Sequence, residues 1–158
     1  MTDLDIDARL SSLGLVLPEA AVPVAAYVPT LLVGHLLHIS GQLSMRDGEL
    51  VKGRLGDQMN LEDGAAAARA SGLMVLAQIK SALGSLARVE QVVKLGVFVS
   101  STPDFVDQPK VANGASELFL ALFGDAGRHA RSAVGVTSLP LGAAVEIDAV
   151  VAVRPLNL

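Results

Sequence analysis

Two stretches near the C-terminal end alternate with period two. In the first, Ser132, Val134 and Val136 share one face, while Arg131, Ala133, Gly135 and Thr137 share the other. In the second, Val145, Ile147, Ala149, Val151 and Val153 form a continuous apolar face, opposite Glu146 and Asp148 and then Val150 and Ala152. Both predict half-buried strands. Upstream the period changes: Ala65, Ala68, Gly72, Leu76, Ile79 and Leu83 recur at helical spacing. Asn60 is a cap for that helix, Glu62 and Asp63 complement its positive end, and Gly84 is its natural stop. A second helical face runs through Val111, Gly114, Ala115, Leu118 and Leu122 to Gly124. Thr102, Pro103 and Asp104 predict an earlier helix start that Pro109 then interrupts or restarts.

The segments YVPTLLV and HLLHIS, parted by Gly34, read as a hairpin, and residues 92–100 as a buried strand. Residues 3–13 suit a short amphipathic helix on Leu4, Ala8 and Leu13 ending at Gly14, whereas residues 45–60, polar and glycine-rich with RDGEL as a turn, are expected to be an exposed loop. The order hairpin, helix, strand, helix, strand, strand is that of an α+β layer fold, with helices on one sheet face and the other face in need of cover. Taken alone, the last two strands predict a hairpin around residues 139–142.

The chain has 158 residues, room for a single domain with a proper core. Its 51% hydrophobic content, 18% charged residues and mean hydropathy of +0.51 are unusually apolar and imply contact with another subunit. A net charge of −4, four Phe, one Tyr and no Trp offer neither a basic field nor stacking platforms, which disfavours nucleic acid as a partner. Absence of cysteine removes disulfides, thiolate metal sites and a cysteine nucleophile, and fits a cytoplasmic setting. The acidic start MTDLDIDARL lacks the pattern of an export signal. Residues 20–45 carry no Asp, Glu, Lys or Arg, but Pro23, Pro29, Gly34 and Gly41 interrupt them, so buried strands are expected rather than a membrane partner.

Arg131 is the leading candidate for chemistry. Its planar fork beside nearly bare positions could take a carboxylate through two parallel bonds, or an ordinary salt bridge. Glu146 could orient water and exchange protons, or cap a strand edge or pair with a neighbouring subunit. A simple hairpin would leave the two about 17 Å apart along a strand, so a joint role needs another topology or a subunit boundary. His35, His38 and His129 have no metal-site spacing, and the glycines form neither a phosphate loop nor GxGxxG. No metal, nucleotide or other cofactor is inferred.

The run R-S-x-V-x-V-x-x-L-P-x-x-x-x-V-E-I-D-A, from Arg131 to Ala149, resembles the C-terminal signature of the RidA family, also called YjgF. Further matches are Tyr27 in AAYVP, Gly41 and Gln42 in ISGQL, the strand KLGVFVSSTPDF, and Asn113 in VANGASELF. They cover residues 24–154 in one order, leaving 1–23 as an N-terminal extension of a single domain spanning 1–158. The resemblance implies a chorismate-mutase-like mixed sheet carrying two main helices on one face, with the final strand inserted between earlier ones. It also implies a homotrimer whose sites lie between subunits. The implied activity is hydrolysis of reactive 2-imino or enamino acids to 2-oxo acids and ammonia, without a cofactor. In it Arg131 clamps the carboxylate, backbone at Ala133 positions the imine, Glu146 aligns water, and Tyr27, Gly41 and Asn113 complete the binding site. Gln42 is a lesser polar neighbour. Ala133 stands where many relatives carry cysteine, and the family is shorter between Phe105 and Asn113. A noncatalytic trimer that binds small carboxylates is the alternative, and an endoribonuclease a distant third.

Overall fold

A computed structural model describes residues 1–155. Helix α1 (Asp3–Ser12) starts on a capping box in which Thr2 and Asp5 satisfy each other's backbone amides. It buries Ile6 and Leu10, and not the expected Leu4 and Ala8: Leu4 is 81% exposed. Both pairs have i,i+4 spacing, and long-range packing chose between them. Arg9 donates to the Leu122 carbonyl at 2.8 Å, so α1 also ties down the far end of another helix.

The hairpin around Gly34 forms as β1 (Thr30–Val33) and β2 (Leu36–Leu43). Residues 45–60 are more than the exposed loop expected of them. They hold a small hairpin, β3 (Met45–Arg46) and β4 (Glu49–Leu50), and Leu55, which is 0% exposed. Leu55 bonds Ser100 and Thr102 through its backbone, both at 2.9 Å. Leu55 stands between Arg54 and Gly56, with no apolar side chain two positions away on either side, so no strand period marks its burial.

Helix α2 (Leu61–Leu83) matches its sequence reading at both ends. Asn60 accepts from the Asp63 amide at 2.8 Å, and Gly84 closes the helix in the left-handed conformation. After β5 (Val89–Ser100), no helix begins at Thr102: residues 103–104 form a turn closed by the Phe105 amide on the Thr102 carbonyl at 3.2 Å. Helix α3 (Gln108–Phe123) starts later, with Pro109 in the first turn, where its missing N–H leaves no bond unmade.

The last strands, β6 (Ala130–Val136) and β7 (Val145–Val153), do not pair with each other. The sheet order is β1-β2-β7-β5-β6; β7 lies antiparallel between β2 and β5, and β6 runs parallel to β5 at the edge. The local hairpin reading is thus overturned, and the inserted final strand is present. Helices α2 and α3 pack on one face over Leu37, Ile39, Leu95, Val97, Ile147 and Val151. The opposite face bears Leu31, Val33, Leu36 and Val134, all well exposed, together with Glu146 and Asp148. Among the described residues no helix is long and apolar enough to cross a membrane.

Candidate functional site

Arg131 lies on edge strand β6 in register with Leu95, a core residue, so its side chain is on the helix-bearing face. Helix α3 supplies its partners. Nη1 donates to Asn113 Oδ1 at 2.9 Å and to Ser116 Oγ at 3.0 Å, and Nη2 donates to the Pro109 carbonyl at 3.3 Å. All three acceptors are neutral. A guanidinium has five N–H donors, so these bonds leave the Nε proton and one Nη2 proton without a partner among the described residues. Among the described residues no acidic side chain forms a salt bridge with Arg131. Ala133 and Gly135 follow on the same face and keep the strand low beside it.

Ser116 and His129 escaped the sequence reading as neighbours of this group. Ser116 Oγ is 2.9 Å from His129 Nε2, and His129 Nδ1 is 2.6 Å from the Gly127 carbonyl. The only advance signal was a serine beside the apolar stripe of α3 and a histidine two residues before Arg131.

Glu146 belongs to the other face. It pairs in register with Phe98 on β5, and its carboxyl occupies the space where a Cβ on Gly41 would sit. A side chain at position 41 would displace it. Burial, with a smaller contribution from the charge of Asp148, raises the Glu146 pKa. Arg131 and Glu146 are separated by β5 and offset by three residues, about 14 Å of backbone from strand spacing and rise. They point to opposite faces and do not meet within one chain.

Tyr27 and Gly41 line a cleft of about 970 Å³ that sequence reasoning did not find. Its walls are the segment 16–23, the α2 residues Arg69, Ala70, Leu73 and Met74, and the end of β2 at Gly41, Gln42 and Leu43. Gln78, buried on α2, holds that segment by donating to the Ala21 carbonyl at 2.7 Å and lies 3.4 Å from Gln42 Oε1. Gln42 is itself buried. Tyr27 is 54% exposed, and among the described residues its hydroxyl has no protein partner. The expected site residues therefore fall into two sets: Arg131, Asn113 and Ala133 at the β6 edge, and Tyr27, Gly41 and Glu146 toward the β2 side. No group of three His, Asp or Glu suited to a metal gathers among the described residues.

Residues 7–151 match the family model described as "YjgF/chorismate_mutase-like, putative endoribonuclease". The chain belongs to the YjgF/RidA family. Within the family it is 53% identical to Protein TCP17 of Trypanosoma cruzi, over 92% of each chain. It is 31% identical to the 2-iminobutanoate/2-iminopropanoate deaminase of Dermatophagoides farinae, over 87% of this chain and 93% of that one. A crystal structure of an Agrobacterium tumefaciens protein of unknown function superposes with a TM-score of 0.90 at 45% identity, covering 96% of this chain and 94% of that one.

Proposed function

We propose that the protein binds small 2-imino or enamino acids through their carboxylate and hydrolyses them to 2-oxo acids and ammonia, as a homotrimer with sites between subunits. The observation that carries this reading is the Arg131 guanidinium, held by three neutral acceptors with two donors left over. That arrangement fixes a positive fork without neutralising it, as bidentate carboxylate capture requires.

In the proposed reaction the carboxylate of the imine docks on Arg131 of one subunit, while Glu146, Tyr27 and Gly41 come from its neighbour. Glu146 takes a proton from water as the oxygen adds to the imine carbon. It returns that proton to nitrogen and then takes the hydroxyl proton of the carbinolamine as the C–N bond breaks and C=O forms; ammonia and the 2-oxo acid leave, and the carboxyl passes its proton to ammonia or solvent. A raised pKa suits a carboxyl that must both take and give a proton. A protonated imine is already electrophilic, so orientation and electrostatics supply the remaining catalysis. The exposed apolar residues of the open sheet face support assembly of like subunits.

A noncatalytic carboxylate-binding trimer is the second reading. It is favoured by the separation of Glu146 from Arg131 on opposite faces of one chain. Ammonia release from 2-iminobutanoate generated in situ separates the two. The hydrolase reading expects Arg131→Ala and Glu146→Gln each to lose at least about a hundredfold in rate. Rates equal to buffer for wild type and both variants, with 2-oxobutanoate binding lost only in Arg131→Ala, would establish the binding protein instead.

A further inference from the structure

We infer that His129 and Ser116 are positioning residues that orient the Arg131 guanidinium, an inference that rests on the reading of Arg131 as the carboxylate clamp. The direction of each hydrogen bond follows from the chemistry of the atoms. The Gly127 carbonyl can only accept, so the 2.6 Å contact puts a proton on His129 Nδ1. In the neutral ring Nε2 is then an acceptor, and the Ser116 hydroxyl donates a hydrogen bond to it at 2.9 Å. This turns the Ser116 lone pairs toward Arg131, whose Nη1 donates to them at 3.0 Å.

The far end of this chain is rigid. Gly127 packs so closely on the Phe119 carbonyl and Leu120 that a Cβ there would overlap backbone, which fixes the carbonyl that sets the tautomer. The His129 ring also stands edge-on to Phe119, a fully buried side chain, with centroids 6.4 Å apart. Ser116 therefore bonds across to His129 and Arg131 in place of folding back on the preceding helical turn, as a mid-helix serine otherwise can. Asn113 and Pro109 hold the guanidinium from its other sides, and Ser116 is the one hydroxyl among the three partners whose orientation a second side chain dictates.

The test uses the full-length protein and two readouts. In the absence of any ligand, nitrogen-15 arginine spectra should show separately resolved Nη protons for Arg131, identified by their disappearance in Arg131→Lys. They should merge in Ser116→Ala and His129→Leu as rotation is freed. In titrations with 2-oxobutanoate, those two variants should bind about tenfold more weakly, the usual scale for one lost bond to a charged group. Ser116→Thr, which keeps the hydroxyl, and His129→Gln, which keeps an acceptor, should stay within about threefold of wild type by the same scale. With imine substrate the loss should fall on KM more than on kcat. Unchanged Nη spectra in Ser116→Ala and His129→Leu, or wild-type binding by both while Arg131→Ala binds nothing, would overturn the positioning role and leave the clamp standing. Wild-type binding by Arg131→Ala would overturn the clamp and, with it, this inference.

Discussion

Glu146 carries a pH dependence whose sign follows from its surroundings. Burial and Asp148 raise its pKa, so the folded chain keeps this proton to higher pH than the unfolded chain does. Below the ordinary glutamate range both states are protonated and nothing is lost. As pH climbs from that range through the raised value, the folded state binds more protons than the unfolded one, and stability falls. Glu146→Gln removes the cost of that buried charge. The variant should melt higher than wild type at neutral pH, and the gap should close on acidification below the glutamate range; calorimetry across that span checks it. A gap independent of pH would mean that Glu146 is not destabilised by its environment. Much of the residue-level pattern was legible beforehand. Arg131 beside Ala133 and Gly135 followed from period two, whereas its bond to Asn113 on α3 joins two elements and no periodicity supplies it. The opposition of Arg131 and Glu146 was not legible: neither face of β6 is strongly apolar, so nothing in its pattern said which face the helices would cover.

At the scale of elements, signals local to one segment gave reliable readings. Asn60, the stripe ending at Leu83, and Gly84 define α2 almost by themselves, because cap, period and stop agree. Where a decision depended on a distant partner, local reading failed. Examples are the buried face of α1 and the order of β6 and β7, which only the family resemblance supplied. Leu55 offers a direct check, since it is a core residue inside a segment that reads as an exposed loop. Leu55→Ala should cost about 3 kcal/mol in chemical denaturation, within the range for emptying a leucine-sized space in a packed core. A loss under about 0.5 kcal/mol, the surface expectation, would mean that this segment does not pack against Ser100 and Thr102 in solution.

At the scale of the whole molecule, the proposed site residues lie in two separate places. One edge of the sheet carries a restrained guanidinium with spare donors, and the other side carries Tyr27 and Gly41 bordering a large cleft, with the Glu146 carboxyl packed against Gly41. An apolar sheet face without helices lies between them. The cleft was invisible in the sequence because one wall is segment 16–23, whose place depends on Gln78 reaching Ala21 across the fold. The proposed trimer unites the two halves by bringing β6 of one subunit to the β2 side of the next.

Subunit complementation tests that union most directly. Arg131→Ala and Glu146→Gln chains, each inactive alone, are unfolded together in equal amounts, refolded and assayed for ammonia release from 2-iminobutanoate. If every site draws Arg131 from one chain and Glu146 from its neighbour, random assembly restores about a quarter of wild-type activity, since each of two independent halves is intact in half of the chains. A mixture no more active than either variant alone would contradict a shared site.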